Sequence, residues 1–340
     1  MTQLEKNNYI LSTNVRFFRN VEDVEFVDKF SADDAENLNF TVRQMEAVTL
    51  GEYEFFNVNS YPQNEITYWS DRYHMPFGQK NTEYERLAIT SRDGLINIVT
   101  NEVEHITVQS FENSYNIKGC YERASEILNV FGRRIPYAHR SEIGYLTANP
   151  WFSGNAMKMG VLVHIPAIAV SPDFIKLIEK LGKDGVGLLG YYSEAGKTFG
   201  AFYQLTNIYT RGISEYDTVK TIEAAVDEIV ETEMKQQEEL IGANRQYVYD
   251  VAWRSLGILA CARRVGMADF MANISNLRLG AELGVFDIGL EEIDEIMNNC
   301  QIGYIKRYMQ RNSIDENENT DNVRARILRE EFSPKLKELL

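Results

Sequence analysis

At 340 residues, with 44% hydrophobic and 11% aromatic side chains, the chain has apolar surface for a full core and a length expected of two or three structural units, so global disorder is excluded. Lys and Arg total 35 against 50 Asp and Glu, a formal charge of −15 that repels phosphate backbones and anionic lipid and disfavours nucleic-acid or membrane-surface binding. Three widely spaced cysteines with no CxxC pair, and four histidines, argue against a disulfide scaffold or structural zinc.

The start of the sequence lacks a basic region followed by an apolar one, and no run approaches 18 apolar residues, so a cytoplasmic chain with no membrane partner is expected. Up to about residue 210 short β-rich runs alternate with a few helices. Strands are predicted over Glu52–Asn57, His105–Gln109, Gly160–Ile165, Val186–Tyr192 and Ala201–Thr206, and a hairpin joins Glu85–Thr90 to Leu95–Thr100, where Asp93-Gly94 supplies the turn. Several follow one another without room for a helical crossover, so the sheet should be largely antiparallel. Glu102 and Glu104 are read as strand residues pointing to one side, with Val103 opposite. Helical spacing appears over Tyr121–Arg134 and over Asp173–Leu181, which opens on Ser171-Pro172-Asp173.

Glu215–Leu240 carries nine acidic and two basic side chains, with Val219, Ile222, Val226, Ile229 and Val230 at helical spacing. Tyr247–Val265, Met267–Leu277 and Glu291–Tyr308 continue as helices, and a polar run over Arg311–Asn319 precedes a last helix from about Asp321. The class is α+β, divided into residues 1–240 and a helical region 241–340.

Walker A, nucleophile-elbow, HExxH and GxGxxG motifs are absent. Longer strings are more informative. Ser12-Thr13-Asn14-Val15-Arg16-Phe17-Phe18-Arg19-Asn20 resembles the SSRIRLARN string of the ATP:guanido phosphotransferases, and Asn101-Glu102-Val103-Glu104-His105 their NEEDH string. Gly144–Pro150 through His164–Ala167 is similar to GYLTxCPTNxGTGLRASVMxHLPA, and Tyr203–Asn207 with Gly212–Glu215 to FQISN with GKSE. Arg254–Leu259 and Arg278–Gly284 resemble strings of the bacterial protein arginine kinases, the McsB family.

The resemblance implies a phosphagen-kinase-like (glutamine-synthetase-like) curved antiparallel sheet flanked by helices, followed by an all-helical C-terminal domain for dimerisation and target recognition. It implies ATP with Mg as phosphoryl donor and protein arginine as acceptor, with catalysis by positioning and charge neutralisation. The nucleotide-binding positions it assigns are Ser12, Thr13, Asn14, Arg16, His74, Thr107, Lys158, Met159, Gly160, Val161, Leu189 and Gly190. Glu194 stands in the loop of the family's second catalytic glutamate. Thr320-Asp321-Asn322-Val323-Arg324-Ala325 matches RDxxRA, a phosphoarginine pocket, through Asp321, Arg324 and Ala325.

The departures fall on the charged residues. Asn14, Thr107 and Leu189 stand where the family has phosphate-binding arginines, Lys158 replaces a fourth, and Arg16 is kept. Each lost arginine removes a bidentate donor worth roughly 1.5–3 kcal/mol per charged hydrogen bond. Val103 occupies the position of the catalytic glutamate and Asn149 that of the reactive cysteine; valine cannot accept a proton, and losing a positioned base costs typically ~10²–10⁴-fold.

Alternatives stand beside these assignments. Arg16 is read as an anion contact rather than a surface ion pair; His74 is a nucleotide contact or a packed histidine; Lys158 an anion contact or a snorkelling lysine. His105 is read as a satisfied buried histidine. Trp151 and Phe152 fill the vacated pocket or cap the core. Asp321 and Arg324 bind phosphoarginine or start a helix. The reading preferred is a pseudokinase with absent or weak phosphoryl transfer and a binding or regulatory role, homodimeric, with a regulatory protein partner. The rivals are an active kinase using Lys158, Arg16 and Glu194, and a structural dimeric scaffold.

Overall fold

The computed structural model describes residues 6–49, 53–73 and 84–339. Its strands are β1 (Ile10–Arg19), β2 (Tyr53–Asn57), β3 (Leu87–Ser91), β4 (Ile96–Thr100), β5 (Ile106–Glu112), β6 (His139–Arg140), β7 (Gly144–Tyr145), β8 (Met157–His164), β9 (Val186–Gly190), β10 (Ser193–Glu194), β11 (Lys197–Thr198) and β12 (Phe202–Asn207). The helices are α1 (Ala32–Thr49), α2 (Gln63–Tyr73), α3 (Ile117–Phe131), α4 (Pro166–Ala169), α5 (Phe174–Lys183), α6 (Glu215–Cys261), α7 (Met267–Glu282), α8 (Leu290–Asn299), α9 (Ile302–Arg311) and α10 (Thr320–Leu339).

Eight strands form one antiparallel sheet in the order β2-β3-β4-β5-β1-β8-β12-β9. Local chemistry sets several of its joints. Gly94, at φ +73°, turns the β3–β4 hairpin, where the Asp93 carboxylate accepts the Leu95 N–H at 3.0 Å. Asn116 caps α3 by accepting the Gly119 N–H at 3.0 Å, and Ser214 caps α6 by accepting the Asp217 N–H at 3.0 Å.

Alternation along the strands divides the sheet into two faces. Val15, Phe17, Ile98, Val108, Met159 and Val161 face helices α1, α3 and α6 and form the main core. The opposite face, with Asn14, Arg16, Lys158 and Gln204, is overhung by α2 and by residues near 301. A second core, built from Leu256, Leu259, Phe270, Ile274, Ile293, Ile305, Leu328 and Phe332, organises the C-terminal helices.

The two halves are joined by α6 and by a buried ionic network. Arg278 donates from Nε and Nη2 to the two Asp294 oxygens at 2.7 and 3.1 Å, from Nη1 to the Asn8 carbonyl at 2.9 Å, and also to Glu282. Glu282 is bonded to His164 Nδ1 of β8 at 2.7 Å, and Ser275 contacts His164 Nε2 at 2.9 Å. Burial alone would raise the Glu282 pKa, but its contacts with His164 and Arg278 hold it below the ordinary carboxylate range. Glu233 of α6 accepts the Ala167 and Ile168 N–H groups at 2.9 and 2.8 Å, and burial raises its pKa to about 7.

Several expectations are corrected here. The segment 101–105 is a turn, with Asn101 at φ +56° and the Asn101 N–H donating to the His105 carbonyl at 3.0 Å, so Glu102, Val103 and Glu104 do not alternate as strand residues. The two helices expected over 215–240 and 247–265 are both present within α6, meeting at a kink where Asn244 is non-helical (φ −140°, ψ 44°), and the second ends at Cys261 rather than Val265. The helix expected over 291–308 breaks at Cys300–Gln301 into α8 and α9. Strand β1 and helices α1 and α2 add to the predicted elements.

Candidate active site

Register assembles a polar floor on the open sheet face. Arg16 lies opposite Gln109 of β5 on one side and Lys158 of β8 on the other; Asn14 pairs with Gly160, which pairs with Thr206; Ser12 pairs with Leu162, which pairs with Gln204 and so with Leu189. These rows floor a cleft of about 590 Å³ whose lining includes Ser12, Asn14, Arg16, Phe152, Lys158, Leu189 and Gln204, with Ser70, Asp71 and Gln301 on its far wall.

Arg16 donates from Nε and Nη2 to Gln109 Oε1 at 2.9 and 2.5 Å, and burial pulls its pKa down to about 10. Lys158 donates to the Asn207 and Ile208 carbonyls at 2.6 and 3.2 Å and lies 5.8 Å from the Phe152 ring, with burial lowering its pKa. Phe152 stacks on Phe18 at 4.7 Å, whereas Trp151 is 84% exposed at the rim, so Phe152 takes up pocket space and Trp151 neither fills the pocket nor caps the core. Gly160 is required by geometry: a Cβ there would stand 2.2 Å from Gln204 Nε2 and 2.6 Å from Asn14 Nδ2. Thr107, paired with Phe18, is buried on the same face one row beyond Gln109.

Other assigned residues face elsewhere. Thr13 points to the helix-covered side, donating to the Ser114 carbonyl at 2.7 Å, and the side chains of Met159 and Val161 are in the main core; alternation along β1 and β8 carries them away from the cleft. Gly190 lies under the β10–β11 hairpin, where a Cβ would meet Thr198 Oγ1 at 2.2 Å. His74 lies outside the described residues.

A second cleft, also about 590 Å³, brings Val103 and Asn149 together with Phe26, Asp28, Tyr84, Arg86 and Glu102. Val103 is 56% exposed on the turn. Glu104 is buried and occupied: its carboxylate accepts from Asn20 Nδ2 at 2.5 Å and from the Ala148 and Asn149 N–H groups at 2.7 and 3.2 Å. Burial raises its pKa against those donors. Glu102 accepts from Arg86 Nη1 at 3.2 Å. His105 is the satisfied buried histidine expected, accepting the Val21 N–H at Nδ1 and bonded through Nε2 to the Glu25 carbonyl at 2.8 Å.

Glu194 is exposed on the β10–β11 hairpin and does not line either cleft; Tyr192 Oη donates to it at 3.5 Å. Burial and Glu194 raise the Tyr192 hydroxyl pKa; the remaining assigned residues lie at the start of α10. There Arg324 is 3% exposed, donating to the Cys300 carbonyl at 3.1 Å, the Val265 carbonyl at 2.8 Å and Asp321 Oδ1 at 2.9 Å; Ala325 is buried. Asp321 also pairs with Arg264 at 3.5 Å. Sequence reasoning missed Gln109, Gln204, Asp71, Gln301 and Arg86; period-two spacing from Thr107 would have found Gln109.

Among the described residues no group of three His, Cys, Asp or Glu could hold a metal ion, and no helix is long and apolar enough to cross a membrane.

The structure thus holds a floor of strand-borne polar residues with two cations and a second cleft at the NEEDH-like turn. The chain belongs to the ATP:guanido phosphotransferase family: the sequence model of that family's C-terminal catalytic domain matches residues 38–236. The model of the McsB protein-arginine kinase C-terminal domain matches residues 245–338. The protein-arginine kinase of Clostridium acetobutylicum is 27% identical over 304 residues, covering 88% of this chain and 89% of that one. That of Staphylococcus haemolyticus is 28% identical over 242 residues, 71% of each. The duplicated taurocyamine kinase of Schistosoma mansoni with bound transition-state-analogue components aligns at a TM-score of 0.64 and 20% identity over 77% of this chain, which spans 39% of that one. Lombricine kinase aligns at 0.60 and 17% identity over 67% of each. The expected phosphagen-kinase-like fold is the fold observed.

Proposed function

We propose that this chain is a protein-arginine-kinase relative that binds its ligands and transfers phosphoryl groups weakly or not at all, in a regulatory role. The observation that carries the reading is the turn at 101–105. Its middle position is an exposed valine beside Asn149, and the neighbouring acid, Glu104, is buried and saturated by three N–H donors. Val103 therefore offers no proton acceptor to an arginine entering the second cleft, and the carboxylates left on its lining are Asp28 and the Arg86-paired Glu102.

The sheet-floor cleft supports residual nucleotide binding. Arg16 and Lys158 would meet the phosphate oxygens of Mg-bound ATP, with Ser12, Asn14 and Gln204 as polar neighbours. Protein arginine is the acceptor class that fits the family, and phosphoarginine the product class. Tyr247 and Ile258, 59% and 43% exposed on α6 and three turns apart, support a homodimer built on the helical region, with a regulatory protein as further partner. Cytoplasmic residence belongs to the same reading.

The test pairs a titration of the purified chain with Mg·ATP and an assay for phosphoarginine on a protein substrate. Saturable ATP binding without product is expected. Robust product formation, abolished by Glu194→Gln, would overturn the reading in favour of an active kinase.

A further inference from the structure

The far wall of the sheet-floor cleft is one helix thick. Ser70 and Asp71 of α2 look into that cleft, while Tyr68, Trp69 and Arg72 line an open cleft of about 830 Å³ on the other side. Helix α9 ties the wall to the helical region. The Gly303 N–H donates to Asp71 Oδ2 at 2.7 Å, and the two backbones touch: a Cβ on Gly303 would stand 2.5 Å from Tyr68 Cα and 2.6 Å from Tyr68 N. Around it, Tyr68 packs edge-on to Tyr304 at 4.9 Å, the Arg307 guanidinium lies 4.0 Å over the Tyr68 ring, and Arg307 pairs with Glu65 at 3.7 Å.

We propose that this α2–α9 contact is an autoinhibitory clasp, which holds α2 against the cleft and presents the Asp71 carboxylate to the ligand space opposite Arg16 and Lys158. The proposal deepens the reading above, from which it takes only that this cleft is a ligand site. A carboxylate placed there opposes entry of an anion. Because α9 belongs to the helical region, an event on that region that draws α9 away also frees the wall, which couples the two halves of the chain. The clasp suits such a role: its close backbone approach requires the glycine at 303, and two of its ties are ion-pair or cation–π contacts that re-form after opening.

The experiment reads cleft access directly. In a Cys261→Ser background, Asn14→Cys supplies a thiol on the cleft floor, and its alkylation by a maleimide is followed by mass spectrometry at residue 14. Gly303→Val wedges the clasp open, and Asp71→Asn with Arg307→Ala loosens it without added bulk. Alkylation is expected to quicken about tenfold in the wedge variant and by less in the loosened one. Amide exchange across residues 63–73 should accelerate in step. Equal rates in all chains, with exchange showing α2 released, would overturn the clasp, as would rapid alkylation with the clasp intact. If the wedge variant fails to fold, the loosened variant decides by the same two outcomes. A parallel Mg·ATP titration of the corresponding chains with Asn14 intact separates the readings: faster alkylation in the thiol chains, without ATP binding in any Asn14 chain, defeats the nucleotide assignment and leaves the clasp standing.

Discussion

The Glu104 carboxylate accepts the Ala148 N–H at 2.7 Å, joining the turn at 101–105 to the loop that carries Asn149. That bond makes Glu104 a structural acid, and it sets the first prediction. Restoring Val103→Glu alone should leave phosphoarginine formation undetectable, because a base without a positioned γ-phosphate has little to act on. Adding Asn14→Arg and Leu189→Arg should be needed before product appears. A large gain from Val103→Glu by itself would contradict this, and a product assay on matched preparations checks it.

Arg16 carries the anion-binding prediction. Arg16→Gln should weaken Mg·ATP or tripolyphosphate binding by about tenfold to a hundredfold, the equivalent of one charge-assisted contact. Arg16→Lys should recover part of it as a point charge. Calorimetric titration at two salt concentrations measures the effect, which should shrink as salt rises.

Arg324 is read here as a stitch between the Cys300 and Val265 carbonyls and Asp321. Arg324→Ala should cost about 3 kcal/mol in denaturant unfolding, since it strands buried acceptors. The recognition alternative is tested alongside it: Thr320→Arg should raise affinity for a phosphoarginine peptide over its unmodified counterpart if Asp321 contributes to a pocket. Equal binding of both peptides would leave this stretch a helix start alone.

Glu233 gives a pH dependence. Its folded pKa of about 7 lies above the ordinary 4.5, so the folded chain holds the proton more tightly. The contribution is full below about pH 4.5 and is lost as pH rises through 7, a decline of up to about 3 kcal/mol. Glu233→Gln should flatten that slope between pH 5 and pH 8, whatever its effect on absolute stability. Parallel slopes for the two chains in denaturant titrations would refute it.

What the sequence made legible follows the range of the forces involved. The β3–β4 hairpin was readable because Asp93-Gly94 decides its turn locally, and the acidic helix after Ser214 because its cap and apolar stripe are contiguous. Strand β1 was recognised as a motif but not as a strand: Asn14 and Arg16 interrupt its apolar run, and their place on the open face exists only once β5 and β8 flank them. Thr13 and Val161 were assigned to the cleft because a string of letters carries no facing; alternation along the strand does. Helix α2 escaped because its packing partner, Gly303, lies more than 200 residues away. The fate of Arg324 was equally invisible, since both carbonyls it bonds are tertiary neighbours.

The network around Arg278 bears on how this architecture could be taken apart. Arg278 is neutralised within the helical region by Asp294 and Glu282, and the network reaches across to the other half through the Asn8 carbonyl and His164. Separating the halves near Asn244 would leave Arg278 with Asp294 and Glu282, but would strip the Asn8 carbonyl and the His164 ring of their partners and open a buried ionic cluster to water. The helical region is therefore not a portable module: transplanted onto another kinase, it would need Asn8, His164 and their strand to travel with it.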